Sequence, residues 1–407
     1  MSGTSHTLRT PLTPLHKALA QLLDLVMPLT QTEHLPTLDA DGRVLAEDVV
    51  SALQVPPQDN SSMDGYALRC QDVPQPGTVL PVFQRIPAGA SGSTLQPGSA
   101  ARIFTGAPVP AGADAIVMQE DCTPLPLEGQ WQRVQVNSVP QAGQWIRRSG
   151  EDVSRGAVVL AAGQRLGPAA LGLAASVGMA TLLVKRRVRV ALFSTGDELV
   201  MPGTIAPEHM PPGAIYNSNR FFLNSLLKRL GCEVTDCGIV PDRLDATVQA
   251  LRQASASHDL ILTSGGVSVG EEDHIKPAVQ SLGSLDLWQI AIKPGKPFAH
   301  GRVGAAHFMG LPGNPVSSFV TFLVLVRPFL QKLQGVQQQS WAAAAHTARA
   351  DFDWPRPDTR QEFLRVRRNA QGGLSLFPNQ SSGVLSSAVW GDGLLDNPAG
   401  QAIQSGD

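Results

Sequence analysis

Cysteine is scarce in this chain of 407 residues: only Cys70, Cys122, Cys232 and Cys237 occur. None forms a CxxC pair and no histidine pair stands at zinc-ligand spacing, which excludes a zinc knuckle and a disulfide scaffold. Scattered thiols of this kind fit a reducing cytoplasm. Charge of one sign is also missing. The net charge of −2 leaves no footprint for nucleic acid or for an anionic membrane surface. The N-terminal MSGTSHTLRT has no apolar h-region, so no signal peptide is expected. The longest apolar run, Phe319–Val326, is too short to span a bilayer and ends at Arg327-Pro328.

Glycine and proline are plentiful instead, at 39 and 32 residues, and they are spread along the chain. They read as tight turns between short elements. The length allows about two to four domains with sizeable cores. An opening helix is expected: Thr13 is placed to cap it, Pro14 suits its first position, and Leu15, Leu19, Leu22, Leu23 and Val26 form one apolar stripe. From about residue 45 to 144, runs such as ALRC, TVLPVF, RIFTG, AIVMQE and RVQVN alternate with turn formers, an all-β texture. From Val188 the pattern becomes βαβα. Strands VRVALF, CEVTDCGIV, DLILT, LWQIAI and HFMGL alternate with helices, among them one from Ser218 with Phe221, Phe222, Leu226, Leu227 and Leu230 expected inside. Such alternation predicts a doubly wound, mostly parallel sheet. After Trp341 the β texture returns in EFLRVRRN and GLSLFP.

Several loops of the βαβα region carry candidate chemistry. Ser264-Gly265-Gly266-Val267-Ser268-Val269-Gly270 follows a strand and precedes a helix. It reads either as a plain βα turn or as an anion nest, in which glycines let amides approach an oxyanion and Ser264 and Ser268 add hydroxyls. It is neither a Walker A loop nor GxGxxG, which weakens nucleoside triphosphate and dinucleotide readings. Asp273, with Glu271 and Glu272, reads as a first-turn charge or as a ligand for Mg2+. Asp197, Glu198 and Asp242 follow other strands at the edge where open α/β sheets bind ligands, although Asp242 also suits a helix cap. Lys293 and Lys296 stand on a proline-stiffened loop, either solvated or facing an oxyanion. Pro312-Gly313-Asn314-Pro315 turns from a strand into a helix at the same edge. In the β module, Asp59–Ala67 and Thr105–Pro108 are dense in turn formers and by composition say only that.

Together these stretches resemble the molybdopterin molybdotransferase family, to which the E domains of gephyrin and of plant molybdenum-cofactor proteins belong. The match rests on NSSMDGYA from Asn60, TGAPVP from Thr105, RSGED from Arg148, ALFSTGDEL from Ala191, YNSNR from Tyr216, SGGVSVGEED from Ser264, KPGKPF from Lys293 and GLPGNPVS from Gly310, in order. The resemblance implies a central mostly parallel α/β domain (1–30 and 180–335), a linker domain (31–44 and 149–179), an inserted β domain (45–148) and a C-terminal β-barrel-like domain (340–407). It implies insertion of molybdenum from molybdate into adenylylated molybdopterin with release of AMP, assisted by Mg2+. It also implies an elongated homodimer in which the partner's β domain closes the site, with molybdopterin adenylyltransferase and apo-molybdoenzymes as transient partners. Asp64, Thr105 and Asp152 would be the β-domain contribution, Glu198, Asp242 and Asp273 the acidic set for metal or leaving group. Ser264, Gly265, Gly266, Ser268, Lys293, Lys296, Pro312, Asn314 and Pro315 would contact anion and pterin. The chain departs from the pattern at Gln289, where the family carries a basic residue. It also stops at Asp407, where the family's last strand begins, so a short C-terminal domain is expected with Ser382 and Ser387 in it. A non-catalytic scaffold of the same fold, or another phosphoanhydride hydrolase acting on a nucleotide-containing cofactor, would share much of this pattern.

Overall fold

The computed structural model describes residues 12–125, 132–241, 243–266, 274–338, 341 and 343–407. Its centre is a six-stranded sheet of β1 (Arg189–Thr195), β2 (Glu233–Val240), β3 (Leu260–Ser264), β4 (Gly283–Gln289), β5 (Pro297–Val303) and β6 (Ala306–Leu311), in the order β2-β1-β3-β6-β5-β4. The first four neighbours run parallel, and β5 and β4 continue antiparallel. Alternation of side chains along each strand builds two cores. Val190, Leu192, Leu260, Leu262, Met309 and Leu311 pack on one face with Leu22, Leu223, Leu227 and Phe329. Ala191, Phe193, Ile261 and Phe308 pack on the other with Leu251, Ile275 and Val279. Burial on both faces is why these strands read as unbroken apolar runs.

The helices show what the apolar pattern decides and where it misleads. Helix Asn219–Arg229 turns Asn219, Leu223 and Leu227 inward. Phe221, expected inside, is 54% exposed, because position i+2 lies across the helix from the i, i+4, i+8 stripe. The helix ends in a Schellman cap: Cys232 N–H donates to Leu227 O at 3.1 Å, Gly231 N–H to Lys228 O at 2.9 Å, and Gly231 holds φ +79°. The opening helix covers Leu15–Asp24, but Thr13 does not cap it. Thr13 N–H donates to Gln289 O at 2.7 Å and Thr13 O accepts from Ala291 N–H at 2.8 Å, so its backbone is committed to the sheet. The run Phe319–Val326 lies inside a longer helical stretch, Pro315–Leu333, with a π-turn at Phe322–Val326. Its 19 residues are long and apolar enough to cross a membrane, yet the most apolar part is 72% buried inside the protein, the setting of a core helix.

Three further units surround this centre. A second six-stranded sheet orders Ala115–Met118, Gly65–Leu68, Ala100–Ile103, Thr78–Ile86, Gln132–Val136 and Cys122–Leu125. A linker pairs Thr32–Pro36 with Thr181–Lys185 and Val49–Val50 with Val158–Leu160, under helix Pro168–Ser176. The C-terminal half-barrel pairs Gln361–Arg368 with Leu374–Leu376 and Gly393–Asn397. The expected strand LWQIAI is split. Its first half lies in β4, while Ile292–Lys293 pairs in parallel with Gln361–Glu362 of the C-terminal sheet. The last residues are docked: Gly406 N–H donates to Ala350 O and Ala350 N–H to Asp407 O, both at 2.7 Å.

One buried pair carries a stability prediction. His300 and His307, 3% and 4% exposed, meet at 3.4 Å between Nε2 and Nδ1, with the Phe329 ring 4.7 Å from the His307 ring. Burial, then the Arg302 charge, pushes His300 down to about 4 and His307 to about 3. The unfolded chain therefore binds protons that the folded chain refuses. The stability is complete above the ordinary histidine value of about 6.5 and is lost as pH falls toward 4, about 2 kcal/mol per ring by pH 5. Urea unfolding of a His300→Phe/His307→Leu protein should show a flatter profile between pH 7 and 5 than the parent. Parallel profiles would disprove the assignment.

Candidate active site

The parallel strands β1, β2, β3 and β6 end at one edge, so their following loops gather there. Ser264, the last residue of β3, pairs in register with Ser194 and Leu311. Gly265 N–H donates to Leu311 O at 3.0 Å, the last bond of the β3–β6 ladder, so the loop leaves the sheet at Gly265. Gly265 and Gly266 hold φ of +93° and +71°. A Cβ on Gly265 would lie 2.9 Å from Thr195 O, and one on Gly266 2.6 Å from Ile275 Cγ1. Both the backbone conformation and the space demand glycine. Gly265→Ala should therefore cost about 1–3 kcal/mol of stability, and it should cut turnover by displacing the loop. Thermal melting and a turnover assay check this, and an alanine protein of parental stability would contradict it.

Asn219 joins two of these loops, donating from Nδ2 to Ser264 Oγ and to Gly313 O, each at 2.7 Å. It is a site residue that composition did not single out, although it lies in the YNSNR stretch. Beside it, the hydroxyls of Ser194 and Thr195 and the Nδ2 of Asn217 are buried without a hydrogen-bond partner among the described residues. Unpaired polar atoms of this kind mark a place prepared for a ligand or ordered water. Pro312 is buried, Gly313 and Asn314 are exposed, and Pro315 starts a helix with Asn314 at its N-cap. Asp197 and Glu198 are exposed, and the Glu198 carboxylate folds over Gly196. Asp242, Ser268 and Asp273 lie outside the described residues. Among the described residues no group of three or more acidic, histidine or cysteine side chains is arranged to hold a metal.

The lysine loop is tied to the C-terminal domain. Lys293 Nζ lies 3.2 Å from Glu362 Oε1 and 3.4 Å from Asp358 Oδ2, so its charge is already paired with the C-terminal domain. Lys296 is exposed. Gly295, at φ +115°, sits tight against Thr321 and Ile292, which presses the loop onto the Pro315–Leu333 helix. Gln289 gives its carbonyl to Thr13. Ser382 O accepts from Val316 N–H at 2.9 Å. Ser387 is buried, donates to Val384 O and accepts from Arg365 Nε, so it serves the C-terminal fold.

A second cluster forms in the N-terminal sheet. Asp64 Oδ1 accepts from both the backbone N–H and the hydroxyl of Thr105, each at 2.7 Å. These bonds, the backbone one first, hold its carboxyl below the usual carboxylate range. Its Oδ2 accepts no hydrogen bond from the described residues. The two segments are laced together: Ser61 N–H donates to Ala107 O and Gly106 N–H to Ser61 O. Asp59 draws in the third segment, accepting from Ser149 N–H at 2.8 Å and Arg148 Nη1 at 2.6 Å. Asp152 stands exposed in that turn, its N–H donating to Val55 O. The structure thus brings Asp64, Thr105 and the Asp152 turn into one cluster, and Ser264, Gly265, Gly266 and the Pro312–Pro315 turn into another.

Comparison with known proteins gives consistent matches. Residues 13–178 match the MoeA N-terminal region (domain I and II), 191–332 a probable molybdopterin binding domain, and 347–407 the MoeA C-terminal region (domain IV). A molybdopterin molybdenumtransferase of Haemophilus influenzae is 42% identical over 352 residues, 86% of this chain and 85% of its own length. Molybdopterin molybdenumtransferase 2 of Mycobacterium tuberculosis is 38% identical over 397 residues, 94% of each chain. The crystal structure of the molybdopterin biosynthesis moeA protein from Pyrococcus horikoshii OT3 superposes with a TM-score of 0.80 at 30% identity, covering 98% of both chains.

Proposed function

The chain belongs to the molybdopterin molybdenumtransferase family, and we propose that it takes molybdopterin in its adenylylated form, transfers molybdenum to it from molybdate and releases AMP with the aid of Mg2+. It is a transferase of molybdenum-cofactor biosynthesis. The observation that carries the finer reading is the β3 edge, where Asn219 ties Ser264 to Gly313 beside unpartnered buried hydroxyls. Hydroxyls and helix-terminal amides suit the phosphates linking AMP to the pterin. Glu198 fits a hard cation by its donor chemistry, an exposed carboxylate three residues from the unpartnered Thr195 hydroxyl. With Asp242 and Asp273 it would hold Mg2+, which when bound supplies neutralisation of phosphate charge.

The test is direct. The purified protein is given adenylylated molybdopterin and molybdate, with and without Mg2+, and AMP release and reconstitution of an apo-molybdoenzyme are followed. Molybdate-dependent release is expected, and its absence would sink the reading. Molybdate-independent AMP release from generic dinucleotides would instead favour a phosphoanhydride hydrolase, and a stoichiometric partner without turnover a scaffold.

The two clusters lie on separate sheets, each held by contacts within its own unit. We therefore propose a homodimer in which Asp64 of one subunit works with Glu198 of the other. Mixing inactive Asp64→Asn and Glu198→Ala proteins under subunit exchange should restore roughly a quarter of parental turnover, since half the dimers would be mixed and each would hold one intact site. No recovery would place both residues in one subunit. We assign the reaction to the reducing cytoplasm, between an adenylyltransferase that supplies the substrate and apo-molybdoenzymes that take the product.

A further inference from the structure

Among the described residues Arg102 donates no hydrogen bond to a carboxylate, yet its whole side chain is engaged. Nη1 donates to Gly65 O at 3.0 Å and Nη2 to Gln119 Oε1 at 2.5 Å. Its guanidinium lies 5.1 Å from the Tyr66 ring centre and 4.8 Å from that of Phe104. These contacts fall on both sides of the Asp64–Thr105 pair. On the Asp64 side, Gly65 is the next residue, and Gln119 N–H donates to Asp64 O at 3.0 Å. On the Thr105 side, Phe104 is the preceding residue, and its ring also carries the Arg85 guanidinium at 4.5 Å.

The strand pairing leaves little slack in this arrangement. Arg102 stands opposite Tyr66 and Gly65 opposite Ile103. A side chain on Gly65 would strike Val117 O, so the chain at Asp64 enters the sheet by one route only. We propose that Arg102 is the positioning residue for Asp64, clamping the two segments whose hydrogen bonds aim the free Oδ2. The planar fork and the flat stacking face are both used, which a lysine cannot reproduce. The guanidinium charge also favours the ionised carboxylate.

This inference rests on the reading that Asp64 takes part in molybdenum transfer, and its test separates the two. Arg102→Met and Arg102→Lys are assayed alone and in the Asp64→Asn background, by single-turnover AMP release. Alone, each should lose ~10²-fold in kcat, the loss expected from a misplacement of about 1 Å, with KM within about twofold. In the Asp64→Asn background neither should lose more, because the group they aim is already gone. Near-UV circular dichroism confirms the fold; should methionine unfold the module, the lysine protein carries the test. Equal losses in both backgrounds, full activity of the lysine protein, or a fully active Arg102→Met beside an inactive Asp64→Asn would each overturn the proposal. A fully active Asp64→Asn protein would remove the underlying reading together with it.

Discussion

Replacing Glu362 by alanine is expected to lower the unfolding free energy by about 3–5 kcal/mol, the cost of stripping a buried, multiply hydrogen-bonded carboxylate from its donors and from the half-exposed Lys293. The Glu362 side chain is fully buried. Oε1 faces Lys293 Nζ, and Oε2 accepts from Trp354 Nε1 at 2.8 Å, Asp358 N–H at 3.2 Å and Asn397 Nδ2 at 3.3 Å. Removing the carboxylate leaves the Trp354 indole N–H and the Asp358 backbone N–H without acceptors, and Asn397 Nδ2 with Gln401 O alone; each such lost acceptor costs about 1–3 kcal/mol when buried. Glu362→Gln keeps the shape and one acceptor and should fall between parent and alanine. Equilibrium denaturation measures both, and an alanine protein within 1 kcal/mol (about a quarter of the expected range) would refute the account. The lysine loop should loosen along with the fold, so turnover should fall in the same order.

Asp64→Asn is expected to do the opposite, leaving stability near the parent and lowering kcat by ~10²–10³-fold, as when one preorganised electrostatic group is lost. An asparagine Oδ1 can still accept both Thr105 donors, so the local fold is kept. What disappears is the negative charge. Because the Thr105 bonds hold the carboxyl below its ordinary range, Asp64 stays ionised through the neutral and mildly acidic region. A carboxylate so held is a poor proton donor near neutrality. Its part in the reaction is therefore that of a fixed anion, orienting a nucleophile or a cation. No acidic limb attributable to Asp64 should appear in the rate profile above the ordinary aspartate value of about 3.9. An asparagine protein with parental kcat would exclude Asp64 from the chemistry.

The parallel sheet is legible in the sequence because β1 and β3 are buried on both faces and bounded by glycine-rich turns. That legibility extends to the Ser264–Gly266 loop and the Pro312–Pro315 turn, since both follow such strands. Other features depend on which distant partner a residue finds. Nothing local says that Thr13 will bond to Gln289, that Asn219 will reach Ser264 and Gly313, or that Lys293 will meet Glu362. Asp64 and Thr105 are equally mute by composition, where each is one turn former among many. Only their motifs, taken in order with the rest, single them out. Phe221 misleads for a simpler reason: apolar content alone does not say which face of a helix turns inward.

The two residues Ile292 and Lys293 lie between β4 and β5 of the central sheet in chain order, yet bond to the C-terminal sheet. A hinge between these domains cannot leave the lysine loop behind. To flap by itself, the loop would have to break a parallel strand pairing, separate Lys293 from Glu362 and lift Gly295 off Thr321. The loop's flanks stay in the central sheet, where Ile290 N–H donates to Lys296 O at 2.7 Å, so a rotation of the C-terminal domain would strain the same contacts. The pairing thereby stitches the C-terminal domain to the ligand edge of the central sheet, with Lys293 held at the seam.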